Sequence, residues 1–248
     1  MRWNSSAPPR DRFVLLCSVM WVAGLLAFGQ STAPPPPSPA PSNPAPPPQP
    51  VFVVIDPAHG GTDPGALLTP DSPEKEVSLA VARRLRQELS ARGITSQLVR
   101  DGDTTISLDQ RAAIANSAYP ALYIAIHASS LGSGLRVFTA MMPIAGASRG
   151  PFLNWDNAQS PFLERSKAAQ QQLVAAVRKT GFPVRALMAP LRPLNNLKIP
   201  AVAIEISPTT GDASQVAATG YQQMICAALA NAITSMAPSS TGKTETQP

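Results

Sequence analysis

Apolar and polar positions divide the chain into short apolar runs separated by longer amphipathic stretches. Residues 51–55 (VFVVI) form an unbroken β-branched and aromatic run that suits a strand buried on both faces, and the run gives way at Asp56-Pro57 to a glycine-rich turn, HGGTDPG. Ser72-Pro73 then opens a predicted helix, with serine as the cap and proline at the first helical position. Within it Val77, Val81, Leu85 and Leu89 recur every four residues as far as Gly93. Residues 96–100 read as a second strand, 108–118 as a second helix and 121–128 (ALYIAIHA) as a third strand. Residues 135–141 predict a further strand, 160–179 a helix, 201–206 (AVAIEI) a central strand and 213–236 a closing helix. This alternation predicts an α/β fold: a single domain with a mainly parallel twisted sheet of about five to six strands and helices on both faces. In such sheets ligands bind beyond the carboxyl ends of the strands.

The ends of the chain follow other patterns. Three arginines in residues 1–12 precede an uncharged apolar run at 13–28 (FVLLCSVMWVAGLLAF), the layout of an export signal. Ala27-Phe28-Gly29 offers a small-x-small cleavage site; the alternative is an uncleaved membrane anchor, since the run approaches the length of a spanning helix. Residues 33–50 (APPPPSPAPSNPAPPPQP) hold eleven of the 28 prolines and cannot form helix or sheet. They read as a linker, either a stiff spacer or a loose tether. The expected organisation is therefore a signal peptide or anchor at 1–29, a proline-rich linker at 30–50, a folded domain at 51–237 and a disordered polar tail at 238–248. Either fate of the leader puts the domain outside the cytoplasm, in the periplasm or cell envelope.

Charge and cysteine content narrow the function classes. Residues 51–237 carry 16 basic and 13 acidic side chains, with no Lys/Arg run interleaved with aromatics, which disfavours a nucleic-acid groove. Cys17 lies in the leader and Cys226 stands alone in the domain, so neither a disulfide framework nor a multi-cysteine metal site can form there. Any metal must use His, Asp or Glu.

Both histidines of the chain, His59 and His127, fall at the ends of predicted buried strands. One such residue alone is most often a hydrogen-bonded structural histidine, but two that converge at one sheet edge supply half of a zinc site, for which a carboxylate is the usual third ligand. Glu74, in the first turn of the helix after the His59 loop, can reach back over that edge; alone it would be read as an acid complementing the helix dipole. Glu205 lies inside AVAIEI, where an unpaired charge is costly, so it either has a cationic partner or faces the site at the strand's end. Three ligands plus a further carboxylate read as metal-assisted hydrolysis. Asp56 and Asp63 also neighbour His59, the first able to orient an imidazole, though turn chemistry around Pro57 and Pro64 accounts for both more simply.

The stretches IDPAHGGTDPGA (55–66), PEKEVSLAVARRLRQEL (73–89) and IAIHAS (124–129), with Arg100, Asp103, Leu108, Arg111 and Ala115-Asn116 between them, resemble the zinc-dependent N-acetylmuramoyl-L-alanine amidases of bacterial cell walls, the type 3 amidase family. The resemblance implies zinc ligands at His59, Glu74 and His127, a catalytic base at Glu205 in IPAVAIE, and peptidoglycan as substrate. It also has departures: Ala58, Ala125 and Ser129 replace a glycine, a serine and an asparagine usual in the family, and the segment Ile206 to Gly211 after Glu205 is rebuilt. Residues 143–162, rich in glycine and proline, are either a border of the cleft or a plain surface loop. Two other readings stand beside the amidase: a peptidoglycan-binding or regulatory domain of the same fold, and a zinc hydrolase of another amide bond. A protein activator is left open.

Overall fold

A computed structural model describes residues 52–142 and 157–236. The leader, the linker, most of the 143–162 segment and the C-terminal tail lie outside the described residues.

The buried run at the start of the domain forms β1 (Phe52–Pro57), followed by a short hairpin of β2 (Leu67–Thr69) and β3 (Ser72–Pro73). Then come α1 (Glu74–Ser90), β4 (Thr95–Leu98), α2 (Leu108–Ala118), β5 (Leu122–Ala128) and β6 (Gly134–Ala140). The remainder is α3 (Leu163–Lys179), β7 (Val184–Ala189), β8 (Ala201–Ser207) and α4 (Thr219–Met236). Six strands make one sheet in the order β4-β1-β5-β8-β6-β7, in which β6 runs antiparallel to β8 and the other neighbours pair in parallel. The sheet is thus mostly parallel, as the alternation of elements predicts.

The core is split by the sheet. On one face Val53, Ile55, Ile124 and Ile204 pack against Val81, Leu85 and Leu89 of α1, Leu173 of α3 and Leu229 and Ile233 of α4. On the other face Val54, Tyr123, Ala125 and Ala203 pack against Ala112 and Ala115 of α2 and against Leu194 and Leu197. Helices therefore cover both faces, three on one side and one on the other.

The structure departs from the sequence pattern at four places. Ser72 does not cap α1; Ser72-Pro73 pair with the Leu67 to Thr69 strand, Pro73 is the N-cap in extended conformation with no side-chain cap bond, and the helix begins at Glu74, whose N–H donates to the Ala66 carbonyl at 2.8 Å. The segments expected as helices from 160 and from 213 each start as a 3-10 turn, Ser160–Phe162 and Ala213–Ala217, before the α-helix sets in. Strand β7 was not visible in the pattern: it is one of the sheet's two outer strands, and its Arg185, Ala186, Leu187 and Met188 are all exposed, so that no buried residues impose alternation. Among the described residues no helix is long and apolar enough to cross a membrane.

Candidate metal centre

A turn, a helix start and a strand end, separated along the chain, deliver three side chains to one edge of the sheet. His59 sits in the turn after β1 at φ 61, a left-handed conformation uncommon for a residue with a side chain. Glu74 is the first residue of α1, and His127 is the next-to-last residue of β5. One ligand atom from each lies within 4.8 Å of the other two. Glu74 Oε2 is 3.1 Å from His59 Nε2, and its Oε1 is 2.9 Å from His127 Nδ1. The two imidazole rings stand edge to face, their centroids 5.5 Å apart.

Tetrahedral ligands at zinc–nitrogen distances of about 2.0–2.1 Å lie about 3.3 Å from one another, so these separations suit a shared ion. The donor set suits it as well. Glu74 is buried, and among the described residues its charge is met by backbone N–H groups of Ala66 and Ala128 and by the two imidazoles. Burial would push the Glu74 carboxyl up, but the bonds from His127 and His59 outweigh it and hold the group far below the usual carboxylate range. The bond to Glu74, then one to Asp63, raises His59 above its ordinary value against its own burial. A buried anion flanked by two imidazoles is a ready divalent-cation site.

The surroundings fix these ligands. Asp63 Oδ2 lies 2.8 Å from His59 Nδ1 and so directs the other ring nitrogen to the centre. Thus Asp63, not Asp56, orients this imidazole, and turn chemistry is not its whole role. Asp56 is fully buried instead, paired with Arg111 and accepting from the Tyr123 hydroxyl. Arg111 also donates to the carbonyls of Pro57 (2.8 Å) and His59 (2.6 Å), and Arg100 to those of Pro57 (3.0 Å), Ala58 (2.8 Å) and Lys75 (2.7 Å). Two buried arginines thereby clamp the backbone that carries His59 and tie it to the start of α1.

Glu205 lies beside His127, its register partner across β5 and β8. Of the alternatives raised by the sequence, the cationic partner is present: Arg136, the register partner of Glu205 on β6. Arg136 escaped the sequence reading, although a charge inside the apolar run GLRVFTA was the same signal that singled out Glu205. A cleft of about 350 Å³ opens on the other side of the centre, bordered by His59, His127, Thr105, Leu108, Arg111 and Arg192. A pocket at the opposite end of the strands, by Leu122, Pro200 and Ile233, contains no histidine or carboxylate.

The family model described as N-acetylmuramoyl-L-alanine amidase matches residues 53–235. Among curated proteins, the N-acetylmuramoyl-L-alanine amidase AmiA of Salmonella typhimurium is 28% identical over 216 residues, covering 74% of this chain and 75% of that protein. AmiA of Escherichia coli is 38% identical over 106 residues, covering 41% of this chain and 37% of that one. The match thus spans about three-quarters of the first relative and a little over a third of the second. Among solved structures, the catalytic domain of CwlV, an N-acetylmuramoyl-L-alanine amidase from Bacillus (Paenibacillus) polymyxa var. colistinus, superimposes with a TM-score of 0.58 at 22% identity, covering 75% of this chain and 97% of that one. This last likeness is one of fold.

Proposed function

The chain belongs to the N-acetylmuramoyl-L-alanine amidase family, and from that premise we propose that it hydrolyses the amide between N-acetylmuramic acid and the L-alanine of the stem peptide in peptidoglycan, using a zinc ion. The observation that carries the reading is the convergence of His59, Glu74 and His127 from a turn, a helix start and a strand end onto one point. These three residues would hold the zinc. When bound, the ion supplies Lewis acidity, which polarises the amide carbonyl and lowers the pKa of a water.

The chain's own groups do the rest. Asp63 and the Arg100 and Arg111 clamp keep His59 aimed at the centre. Glu205 Oε1 is engaged by Arg136, whereas Oε2 has no hydrogen-bond partner among the described residues, so Oε2 is the atom that takes the water's proton and returns it to the leaving nitrogen. Arg136, by engaging Oε1, fixes the carboxylate's rotamer. The cleft beside His59 and His127 receives the substrate. The apolar run at 13–28 would export the chain to the cell envelope, where this substrate lies. The test is chelation of the full chain followed by zinc: turnover of peptidoglycan should vanish and return, whereas activity indifferent to chelator would refute a metal mechanism.

A further inference from the structure

One level of the sheet carries a row of charges that the proposed reaction uses only in part. His127 on β5 is in register with Glu205 on β8, Glu205 with Arg136 on β6, and Arg136 with Arg185 on β7. Register partners on neighbouring strands project from the same face, so the row runs from the metal centre to the outer strand on one side of the sheet. It contains two guanidiniums and one carboxylate. Arg136 spends Nη2 on Glu205, on the Leu131 carbonyl at 2.9 Å and on the Ser207 hydroxyl at 3.2 Å. Its Nε is buried without a partner, and among the described residues its Nη1 makes no hydrogen bond. Arg185 is exposed and, among the described residues, has no hydrogen-bond or ion-pair partner. Among the described residues the row therefore ends in positive charge that nothing pairs.

Distance fits this charge to a substrate. With strands about 4.8 Å apart, Arg136 and Arg185 stand roughly 10 and 14 Å from His127. An extended peptide advances about 3.3 Å per residue, so a chain leaving the centre along the row would lay its third to fifth residues over them. Phe138 and Leu187, register partners two residues further along β6 and β7, offer an apolar floor on the same face. We infer that Arg136 and Arg185 form a carboxylate-binding subsite on the peptide side of the scissile bond, which selects stem peptides carrying a free carboxylate there. This rests on the amidase reading for the direction in which the peptide leaves.

Arg185 is the clean probe because it does not touch Glu205. Binding is measured by calorimetry on the zinc-loaded full chain carrying Glu205→Gln, with a soluble muramyl peptide bearing free stem carboxylates and with its fully amidated counterpart. The acidic peptide should bind about fivefold tighter, and Arg185→Ala should abolish that preference, as expected for a partly exposed charge pair. Arg185→Glu should reverse the preference and Arg185→Lys retain part of it. In the chain with Glu205 intact, Arg185→Glu should act on KM for the acidic peptide rather than on kcat. Equal binding of the two peptides, binding of neither, or a preference untouched by Arg185→Glu would overturn the subsite. Failure of the native chain to cleave a peptide that it binds with this preference would count against the reaction and not against the subsite.

Discussion

At Gly65 the backbone takes φ +68 and passes so close to the centre that a Cβ would lie 2.7 Å from His59 Cδ2, 2.8 Å from Glu74 Cβ and 2.9 Å from Glu74 Oε2. Gly65→Ala should therefore strain the turn and displace two proposed ligands at once. We expect a loss of zinc affinity of about 10–100-fold, the range seen when ligand support is removed, read by competition with a chromogenic chelator; unchanged affinity would mean that the ligands are less constrained than the contacts imply. Glu205→Gln makes the opposite prediction. Turnover should fall by about 10²–10⁴-fold while zinc is retained, because the residue serves the proton and not the ion. Of the proposed site, the two histidines were legible because they are scarce in this chain and end buried strands, and Glu205 because a charge inside an apolar strand calls for an explanation, whereas Glu74 alone reads as an acid complementing the helix dipole. The supports of these residues were not legible. Nothing local distinguishes Asp63, which holds His59, from Asp56, which is buried under Arg111, since that difference depends on which way each carboxylate turns in the folded loop.

The elements divide along similar lines. Helix α2 lies where its pattern put it, because Ser107 and Gln110 form a reciprocal capping box and the signal is contained within four residues. Ser107→Ala should cost about 1 kcal/mol in urea unfolding with little effect on zinc binding. The start of α1 was misjudged because Ser72-Pro73, a sound cap by local rules, is captured by a hairpin with β2. Strand β7 was invisible because its four central residues are all exposed and so carry no hydrophobic rhythm. Along the buried face of α1, by contrast, rhythm and burial coincide. Leu85 is fully buried there, and Leu85→Ala should cost about 2–5 kcal/mol in thermal or urea unfolding. The folded fraction should still bind one zinc, since Leu85 lies three turns from Glu74; loss of metal stoichiometry in that fraction would contradict the separation of core from centre.

For the molecule as a whole, the sheet carries two apolar clusters, neither of which includes a proposed ligand, and the centre sits at one edge of the sheet. Chelation should therefore lower the melting temperature without abolishing the cooperative transition, and added zinc should raise it with concentration as a ligand of the native state does. A chain that unfolds outright on chelation would show the ion to be structural. The reaction is defined by the bond it breaks, which is read by digesting purified peptidoglycan with the zinc-loaded full chain and identifying the products by mass. The account predicts intact stem peptides with a new L-alanine amino terminus, released from an otherwise uncut glycan, and no such release by Glu205→Gln. Products cut between sugars or within the stem, or release by Glu205→Gln at the native rate, would contradict it.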